Sequence, residues 1–289
     1  MTRLSTVIPV FNRRTLADRA LRSVLEQHVE DVEIVIVDDG SQPPFEIPSD
    51  VQSRNVRLIR HPVNQGAAAA RNTGVEAARG DWIAFLDSDD YWLPHTLLPR
   101  LEIAERDFAA EPSILVAYAA GFVLYSESKG RREVRLPRAS DNPLDFASGC
   151  WFSPGSTLLL RKEIFRHIGP FDPMLRRLED LDWFLRFAQA RGRLATWPNT
   201  AAMIELGPRP DPAIVENTTR QIAAKYVSAD SPHQLPASHV RRLKAYLDVE
   251  RASAFAARRR WIPTIYYMVR SLARVPRTSL HLERFWDAG

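Results

Sequence analysis

The sequence predicts an α/β fold in which helices flank a Rossmann-like, mostly parallel sheet. Two apolar, β-branched runs, residues 5–10 (STVIPV) and 32–37 (VEIVIV), are typical of strands that are covered on both faces. Between them, apolar residues recur at helical spacing from Leu16 to Leu25, which predicts a helix with one face on the sheet. A strand, a helix and a second strand in this order form the unit from which doubly wound sheets are built.

The same alternation continues along the chain. Residues 56–60 predict a third strand, residues 66–78 an Ala-rich helix, and residues 81–86, after Gly80, a fourth strand. The remaining predicted elements are helices over 97–108, 179–191, 240–258 and 262–273, strands within 114–136 on either side of a polar turn at 126–132, and a strand over 157–160.

The composition is that of a globular protein with a sizeable core. Of 289 residues, 45% are hydrophobic and 26% are charged, which excludes a disordered or fibrous chain. The single cysteine, Cys150, excludes an internal disulfide, and the first residues lack the pattern of a secretory signal, so we expect a cytoplasmic protein. The long uncharged run at 113–126 is shorter than the roughly 20 apolar residues of a spanning helix, so no membrane span is expected.

The charge of the chain is unevenly distributed. Residues 208–289 hold 14 Lys and Arg against 7 Asp and Glu, a net of +7, whereas residues 1–207 carry a net of −3. Prolines are concentrated between 207 and 239, which predicts a break in regular structure there. We therefore expect a domain over 1–207 and a basic, helical C-terminal extension over 208–289.

Two interpretations of this extension remain open. An arginine cluster at 258–260 precedes an amphipathic segment, a combination that suits peripheral contact with an anionic membrane surface, at the inner face of the membrane for a cytoplasmic protein. A helix packed on the domain, with a solvated basic face, predicts the same pattern. The extension matches no nucleic-acid-binding pattern, so nucleic acid is not expected as a partner.

Polar residues follow three of the predicted strands. Asn12 follows the first, Asp39 the second, and Asp87 and Asp89 the fourth. Because the carboxyl ends of parallel strands meet at one edge of a sheet, these side chains are expected to face a common ligand. Carboxylates two residues apart suit Mg²⁺, which takes one or two carboxylates together with phosphate oxygens. A single acidic cluster of this kind is equally typical of a helix cap or a solvated turn.

Five segments, in their order and approximate spacing, resemble the family 2 glycosyltransferases of the GT-A fold, which transfer sugars from nucleotide donors. The segments are residues 7–12 (VIPVFN), 37–41 (VDDGS), 64–72 (NQGAAAARN), 85–90 (FLDSDD) and 169–172 (GPFD) followed by 179–180 (ED). Together they cover residues 4–205, and their ordered combination is far more specific than any one of them.

The resemblance implies how a nucleotide would be held. Pro9 and Phe11 would flank the nucleobase, and Asp39 would accept a hydrogen bond from it. Arg71 would approach the nucleotide at its base end, and Asp87 would contact the ribose. These roles suit the residue types, because aromatic faces stack on bases and Arg is a planar donor of fixed charge.

The resemblance also implies the chemistry. Asp89 would bind a divalent cation, Mg²⁺ or Mn²⁺, on the diphosphate of the donor. Asp180 would be the catalytic base that removes a proton from the acceptor hydroxyl, and direct displacement would invert the anomeric configuration. Leu181 stands where the family often has an aromatic residue, which puts the identity of the acceptor in doubt. Trp261 lacks the Gln-x-x-Arg context of the processive members, so repeated polymer extrusion is not expected.

The sequence therefore predicts an inverting, metal-dependent transferase. It would move a sugar from a nucleotide-diphosphate sugar to a glycan or lipid-linked acceptor in surface polysaccharide biosynthesis. One alternative is a sugar nucleotidyltransferase, which should have a Gly-rich phosphate loop where residues 12–15 read NRRT. The other is a non-catalytic glycosyltransferase-like subunit that binds nucleotide or a partner, against which the intact Asp89 and Asp180 argue.

Overall fold

The structure is a computed structural model that describes residues 2–51, 55–126, 130–207, 210–276 and 286–287. The strands are β1 Leu4–Val10, β2 Val32–Asp38, β3 Val56–Arg60, β4 Trp82–Phe85, β5 Tyr91–Trp92, β6 Val116–Ser126, β7 Arg131–Pro137, β8 Leu159–Arg161, β9 Arg193–Glu205 and β10 Trp286–Asp287. The helices are α1 Arg14–Leu25, α2 Ala67–Ala77, α3 Leu97–Ala110, α4 Pro143–Phe146, α5 Pro154–Thr157, α6 Lys162–Ile168, α7 Glu179–Gln189, α8 Pro212–Val227, α9 Ala237–Ala257 and α10 Trp261–Arg274.

The predicted α/β fold is confirmed, and its parallel part positions the site. Strand β1 lies between β2 and β4, and β3 lies outside β2, all four in parallel. Val10 stands opposite Asp38, so β1 and β2 end side by side. The loops that follow these strands, together with the loop after β4, therefore leave the sheet at the same edge. Beyond β4 the sheet continues in mixed order through β8, β6 and β7, and β9 runs parallel to β6.

Alternate residues of the central strands serve two separate cores. Leu4 and Ile8 of β1 pack on one face of the sheet with apolar residues of α1 and α3. Val7 of β1 and Phe85 of β4 pack on the other face with an aromatic cluster that includes Trp183 of α7. This alternation is the physical reason why both strands are continuous apolar runs in the sequence.

The C-terminal helices pack on the rest of the chain. Leu181 and Leu185 of α7 share one buried cluster with Ile222 of α8 and with Leu243 and Leu247 of α9. Helix α10 packs along α9, and most of its own side chains are partly or fully exposed. Among the described residues, no helix combines the length and the apolar character that crossing a membrane requires. The division at residue 208 stays a prediction, since one apolar cluster crosses it.

The structure differs from the sequence-based predictions of local structure in three places. The Pro-rich stretch after 207 was expected to lack regular structure, yet it contains α8, because Pro212 occupies the first helical position and the Asp211 side chain caps the helix by accepting from Ala213 N at 2.8 Å. Strand β9 was not predicted, because Pro198 interrupts its apolar pattern. The predicted strand at 157–160 is the end of α5 followed by β8, and residues 127–129 of the predicted turn lie outside the described residues.

Candidate active site

Two adjoining cavities open at the edge of the sheet where β1, β2 and β4 end. The first cavity, of about 350 Å³, is lined by Pro9, Phe11, Asp39, Arg71, Asp87 and Asp89 among others. The second cavity, of about 480 Å³, is lined by Asp180 and shares Arg71 and Asp87 with the first. The structure thus brings the six residues expected around a nucleotide into one cavity. Asp180, the expected catalytic base, lies in the neighbouring cavity.

The loops after β1 and β2 are tied together beneath the first cavity. Asn12 N donates to Ser41 Oγ at 2.9 Å, and Gln42 N donates to Asn12 Oδ1 at 2.8 Å. Asn12 adopts a left-handed conformation with φ of 52°, which Asn tolerates better than most residues. Phe11 is 43% exposed, so its ring is available to a planar ligand.

Asp39 is buried, and neighbouring groups already hold its carboxylate. Oδ1 accepts from Gln65 N at 2.9 Å and lies 2.7 Å from Nδ1 of His61, while Oδ2 accepts from Gly66 N at 2.8 Å. A carboxylate has about four lone-pair sites, so this arrangement fixes Asp39 and leaves one acceptor site toward the cavity. The expected hydrogen bond to a nucleobase therefore remains geometrically open.

The three aspartates after β4 point in different directions. Asp87 and Asp89 line the first cavity, whereas Asp90 is buried behind it. Asp90 Oδ2 accepts from Ser156 Oγ at 2.5 Å, and Oδ1 accepts from Glu205 N at 3.0 Å. Asp90 thus joins the loop to α5 and β9, whereas Asp87, Ser88 and Asp89 line the first cavity.

The carboxylates after β4 suit a divalent cation that also binds oxygens of a ligand. Burial raises the pKa of Asp89, and the negative charge of Asp87 raises it further. The positive charge of Arg13, whose Nη1 lies 2.7 Å from Asp89 Oδ2, acts in the opposite direction. A divalent cation held by Asp89 would offset the negative charge of Asp87 and favour the ionised form of Asp89. Among the residues that the structure describes, no group of three or more His, Cys, Asp or Glu is placed to hold a metal. The donor set therefore suits Mg²⁺ or Mn²⁺ completed by phosphate oxygens rather than an all-protein site.

Arg71 joins the two cavities. From α2, its Nη2 donates to Asp87 Oδ1 at 2.6 Å and its Nη1 donates to Glu179 Oε1 at 2.7 Å. Its guanidinium is almost wholly buried, and Nε has no hydrogen-bond partner among the described residues. The sequence suggested a contact with the nucleotide for Arg71, and the structure adds a bridge to the carboxylate that precedes Asp180. Glu179 is a site residue that the sequence analysis placed in a motif without assigning it a role.

Asp180 lies in the first turn of α7 and faces the second cavity. Burial and, to a smaller extent, the negative charge of Glu179 raise the pKa of its carboxyl to about 6. The hydrogen bond that Leu181 N donates to Asp180 Oδ1 lowers the pKa, but by less. The helix begins directly after Leu178, whose φ of 60° is unusual for a leucine. This sharp turn places Glu179 and Asp180 side by side at the cavity wall. A carboxylate with such a pKa can accept a proton near neutral pH.

Helix α9 supplies one wall of the second cavity. Tyr246 lines the cavity, and its hydroxyl donates to Glu250 Oε1 at 2.9 Å. Arg177, also a lining residue, donates from Nη2 to Glu250 Oε2 at 2.8 Å. A Cβ on Gly149 would lie 2.6 Å from the Tyr246 ring, so only glycine permits this packing. Sequence analysis could not find Tyr246, because no local pattern links it to Asp180, 66 positions earlier.

Arg176 spans the junction of the cavities from the loop before α7. It lines the second cavity, and its Nη1 lies 3.3 Å from Oδ1 of Asn64, a lining residue of the first. Nη1 would also lie 2.8 Å from a Cβ on Gly66. Arg176 is exposed and has no carboxylate partner among the described residues. It is therefore a cation available to an anionic ligand, and its position between the 169–172 and 179–180 segments was the only sequence signal for it.

Cys150 lines the second cavity but is not an activated nucleophile. Burial, and next the negative charge of Asp180, raise the pKa of its thiol well above the ordinary value. The thiol therefore stays protonated at neutral pH, and only a thiolate attacks effectively. Asp180 remains the group in this cavity whose ionisation falls near neutrality.

Comparisons with known proteins identify a family of related sequences. The profile described as glycosyl transferase family 2 matches residues 5–169. An uncharacterized glycosyltransferase of Haemophilus influenzae is 30% identical over 190 residues, which are 64% of this chain and 62% of the relative. The pre-mycofactocin glycosyltransferase of Mycobacterium tuberculosis is 30% identical over 204 residues, which are 68% of this chain and 41% of that protein. In both cases the match spans less than two thirds of the relative's length.

The fold itself is similar to that of a solved structure. The crystal structure of the 1–349 fragment of S. aureus TarS in complex with UDP-GlcNAc superposes with a TM-score of 0.64 at 18% identity, covering 98% of this chain and 84% of the fragment. This likeness supports the GT-A fold that the sequence motifs predict.

Proposed function

Because the chain belongs to glycosyl transferase family 2, we propose that it moves a sugar from a nucleotide-diphosphate sugar to a hydroxyl of an acceptor, with inversion at the anomeric carbon. The observation that carries this proposal is the joining of two cavities at Arg71 and Asp87, one cavity holding Asp89 and the other Asp180. The solved TarS complex with UDP-GlcNAc supports a uridine nucleotide as the first donor to test.

The first cavity is proposed to hold the nucleotide. Pro9 and Phe11 flank the base, and Asp39 accepts a hydrogen bond at the site that its three protein contacts leave open. Asp87 faces the ribose, and Arg71, which lines the same cavity, approaches the nucleotide at its base end. The buried, cross-linked position of Asp39 pre-organises its carboxylate, which reduces the entropy lost when the ligand binds.

Asp89 is proposed to hold Mg²⁺ or Mn²⁺ together with diphosphate oxygens. When bound, the cation neutralises negative charge on the departing diphosphate. Arg176, at the junction of the cavities, would add a fixed positive charge near the same leaving group. Arg13 forms an ion pair with the Asp89 carboxylate at 2.7 Å. This ion pair would break, or Arg13 would share the carboxylate with the cation, when the donor binds.

The second cavity is proposed to hold the transferred sugar and the acceptor. The Asp180 carboxylate takes the proton of the acceptor hydroxyl, the oxygen forms a bond to the anomeric carbon, and the bond from that carbon to the diphosphate oxygen breaks. Arg71 and Glu179 hold the start of α7 so that Asp180 keeps its position against this cavity. The wall built by Tyr246 and Arg177 contacts the acceptor.

The acceptor is proposed to be a glycan or a lipid-linked glycan of surface polysaccharide biosynthesis. Support for this class comes from the basic C-terminal extension and from the resemblance of the motifs, and the cavity wall contributed by α9 gives the extension a direct part in acceptor binding. A cytoplasmic site of action, next to the inner face of the membrane, is part of the same proposal.

A screen of UDP-, GDP- and dTDP-sugars, each with and without Mn²⁺, tests the proposal. We expect one donor class to raise the melting temperature in the presence of the cation, and the product of a transfer assay to show an inverted anomeric centre by NMR. Binding without transfer to any acceptor would favour a non-catalytic subunit, and release of pyrophosphate from a nucleoside triphosphate and a sugar phosphate would favour a nucleotidyltransferase. The absence of any nucleotide effect would overturn the assignment.

A further inference from the structure

Helix α10 leaves an apolar face uncovered. Its exposed large side chains are Trp261, Ile262, Ile265, Tyr266, Val269 and Leu272, between 42% and 86% exposed. Their spacing of three and four residues places them along one side of the helix. A row of this kind on a single helix is unusual on the surface of a soluble domain, where exposed apolar side chains occur mostly one at a time.

The opposite face of α10 is fixed to the rest of the molecule. Ser271 Oγ donates to the carbonyl oxygen of Ala245 at 2.9 Å, and the Tyr267 ring stacks on Phe255 at 5.9 Å. Arg274 forms an ion pair with Asp248. The helix is therefore held in one orientation, and its apolar row points outward as a consequence of these contacts.

Positive charge surrounds the apolar face. Residues 258–260, three consecutive arginines, are exposed directly before α10, and no acidic partner contacts them among the described residues. From 237 to 276 the chain holds nine Lys and Arg and two Asp and Glu. Both acids are already paired, Asp248 with Arg251, Arg270 and Arg274, and Glu250 with Arg177. The uncompensated charge around the face is therefore cationic.

We propose that this face of α10 lies in the headgroup region of an anionic lipid bilayer. An amphipathic helix with arginines at its border and Trp, Ile and Tyr on its apolar side is the pattern of an interfacial helix. Anionic lipids attract the arginines, and the apolar row enters the boundary between headgroups and acyl chains. A second copy of the chain is a poorer occupant, because among the described residues its α9 and α10 offer no unpaired acidic group to the arginines.

The position of α10 connects this surface with the second cavity. Ser271 contacts the backbone of Ala245, and the next residue, Tyr246, lines that cavity. One helix therefore separates the proposed lipid surface from the proposed acceptor site, which suits an acceptor that arrives on a lipid carrier. The lipid contact itself does not depend on the sugar-transfer proposal and is tested without it.

Co-sedimentation of the full chain with vesicles tests the contact. We expect binding to vesicles of phosphatidylcholine mixed equally with phosphatidylglycerol, and little binding to phosphatidylcholine alone. Replacing the three arginines, R258Q, R259Q and R260Q, should weaken binding on the order of 100-fold. The triple change I262S, I265S and V269S should abolish it. The matched control V134S and I214S, at side chains 53% and 45% exposed on β7 and α8, should bind as the unaltered chain does.

Melting temperature and gel filtration keep the result interpretable. Because the three serine positions are exposed, the melting temperature and nucleotide binding should not change, which separates a lost lipid contact from a lost fold or a failed donor site. Unchanged vesicle binding in both the arginine and the serine variants would overturn the proposal. So would an unaltered chain that is a dimer and that the serine changes convert to a monomer, since a second copy would then cover the face.

Discussion

Asp180 combines a raised pKa with a position against an open cavity, and its removal is the most direct test of the catalytic assignment. We expect Asp180→Asn to lose transfer by a factor of roughly 100 or more, because the general base is gone while the donor cavity is intact. Binding of a nucleoside diphosphate, measured by calorimetry, should be unchanged. Turnover equal to that of the unaltered enzyme would refute the role.

The raised pKa of Asp180 also predicts opposite pH effects on rate and stability. Transfer should increase as the pH rises through about 6, where the carboxyl loses its proton. Since the folded state holds that proton more tightly than the unfolded chain, the free energy of unfolding should fall as the pH rises from about 4 to about 6.

Asn at position 180 cannot ionise, so D180N should be more stable than the unaltered enzyme at pH 8, by on the order of 2 kcal/mol, and not at pH 4. Chemical denaturation at the two pH values measures the difference. Equal stability at both pH values would mean that the folded protein does not raise this pKa.

The proposed role of Asp89 in cation binding can be tested separately from the role of Asp180. With Asp89→Ala, Mn²⁺ should no longer strengthen the binding of a nucleoside diphosphate, because the cavity loses the carboxylate proposed to share the cation. Calorimetry with Mn²⁺ and with EDTA measures this. Glu46→Ala is a matched control, since Glu46 also pairs with an arginine, Arg14, but does not line the first cavity. If Mn²⁺ strengthens binding in the Asp89 variant as much as in the unaltered chain, residues other than Asp89 hold the cation.

Arg176 is expected to act on the leaving group rather than on nucleotide affinity. Arg176→Ala should lower kcat by roughly 10- to 100-fold with a smaller change in the donor KM, because the charge on the diphosphate grows as the bond breaks. Arg176→Lys should restore part of the rate. Arg166→Ala, at an exposed arginine of α6 that lines neither cavity, is the control. A higher donor KM with an unchanged kcat would instead indicate that Arg176 binds the ground state and the transition state equally.

At the scale of elements, α9 links the C-terminal extension to acceptor binding. Tyr246→Ala should raise the acceptor KM and leave the donor KM unchanged, because the ring lines the second cavity and not the first. Tyr267→Phe, which loses a hydrogen bond to Glu216 away from both cavities, is the control. Steady-state kinetics with each substrate varied in turn distinguishes the effects. An increase in the donor KM alone would contradict the assignment.

The elements that sequence patterns predicted well are those whose pattern is local. Strands β1 and β2 are buried on both faces and α1 on one, and in each case burial produces an apolar period that can be counted along the chain. Strand β9 could not be predicted in this way, since its pairing with β6 shifts register near Gly121 and its middle residues are exposed. Helix α8 was missed because a cluster of prolines gives the same signal whether it ends a structure or begins one.

The site shows the same distinction between local and tertiary signals. Pro9, Asp39 and Asp89 lie at strand ends, where the sheet topology alone brings them to one cavity. Arg13 directly follows the 7–12 segment, but its contact with Asp89 depends on the fold, and nothing in the neighbourhood of Tyr246 marks that residue. Motif order therefore predicted the lining of the first cavity better than that of the second.

At the scale of the whole molecule, the chain is expected to fold as one unit across residue 208. The cluster shared by α7, α8 and α9 buries Ile222, Tyr226, Leu243 and Leu247, each less than 2% exposed. Burial of a large apolar side chain contributes about 1.5–3 kcal/mol, so four of them contribute roughly 6–12 kcal/mol, comparable with the entire stability of a typical domain. The predicted boundary would thus separate residues that depend on one another.

Truncation at two points tests this dependence. A chain that ends at residue 207 loses α8 and α9, exposes Leu181 and Leu185, and should be recovered mainly as aggregate. A chain that ends at residue 259 keeps both helices and the wall around Tyr246, and it should remain folded and bind nucleotide, because α10 covers little of the molecule. Circular dichroism melting and gel filtration measure both outcomes. A soluble 1–207 chain with an unchanged melting temperature would show instead that the catalytic part folds independently of its extension.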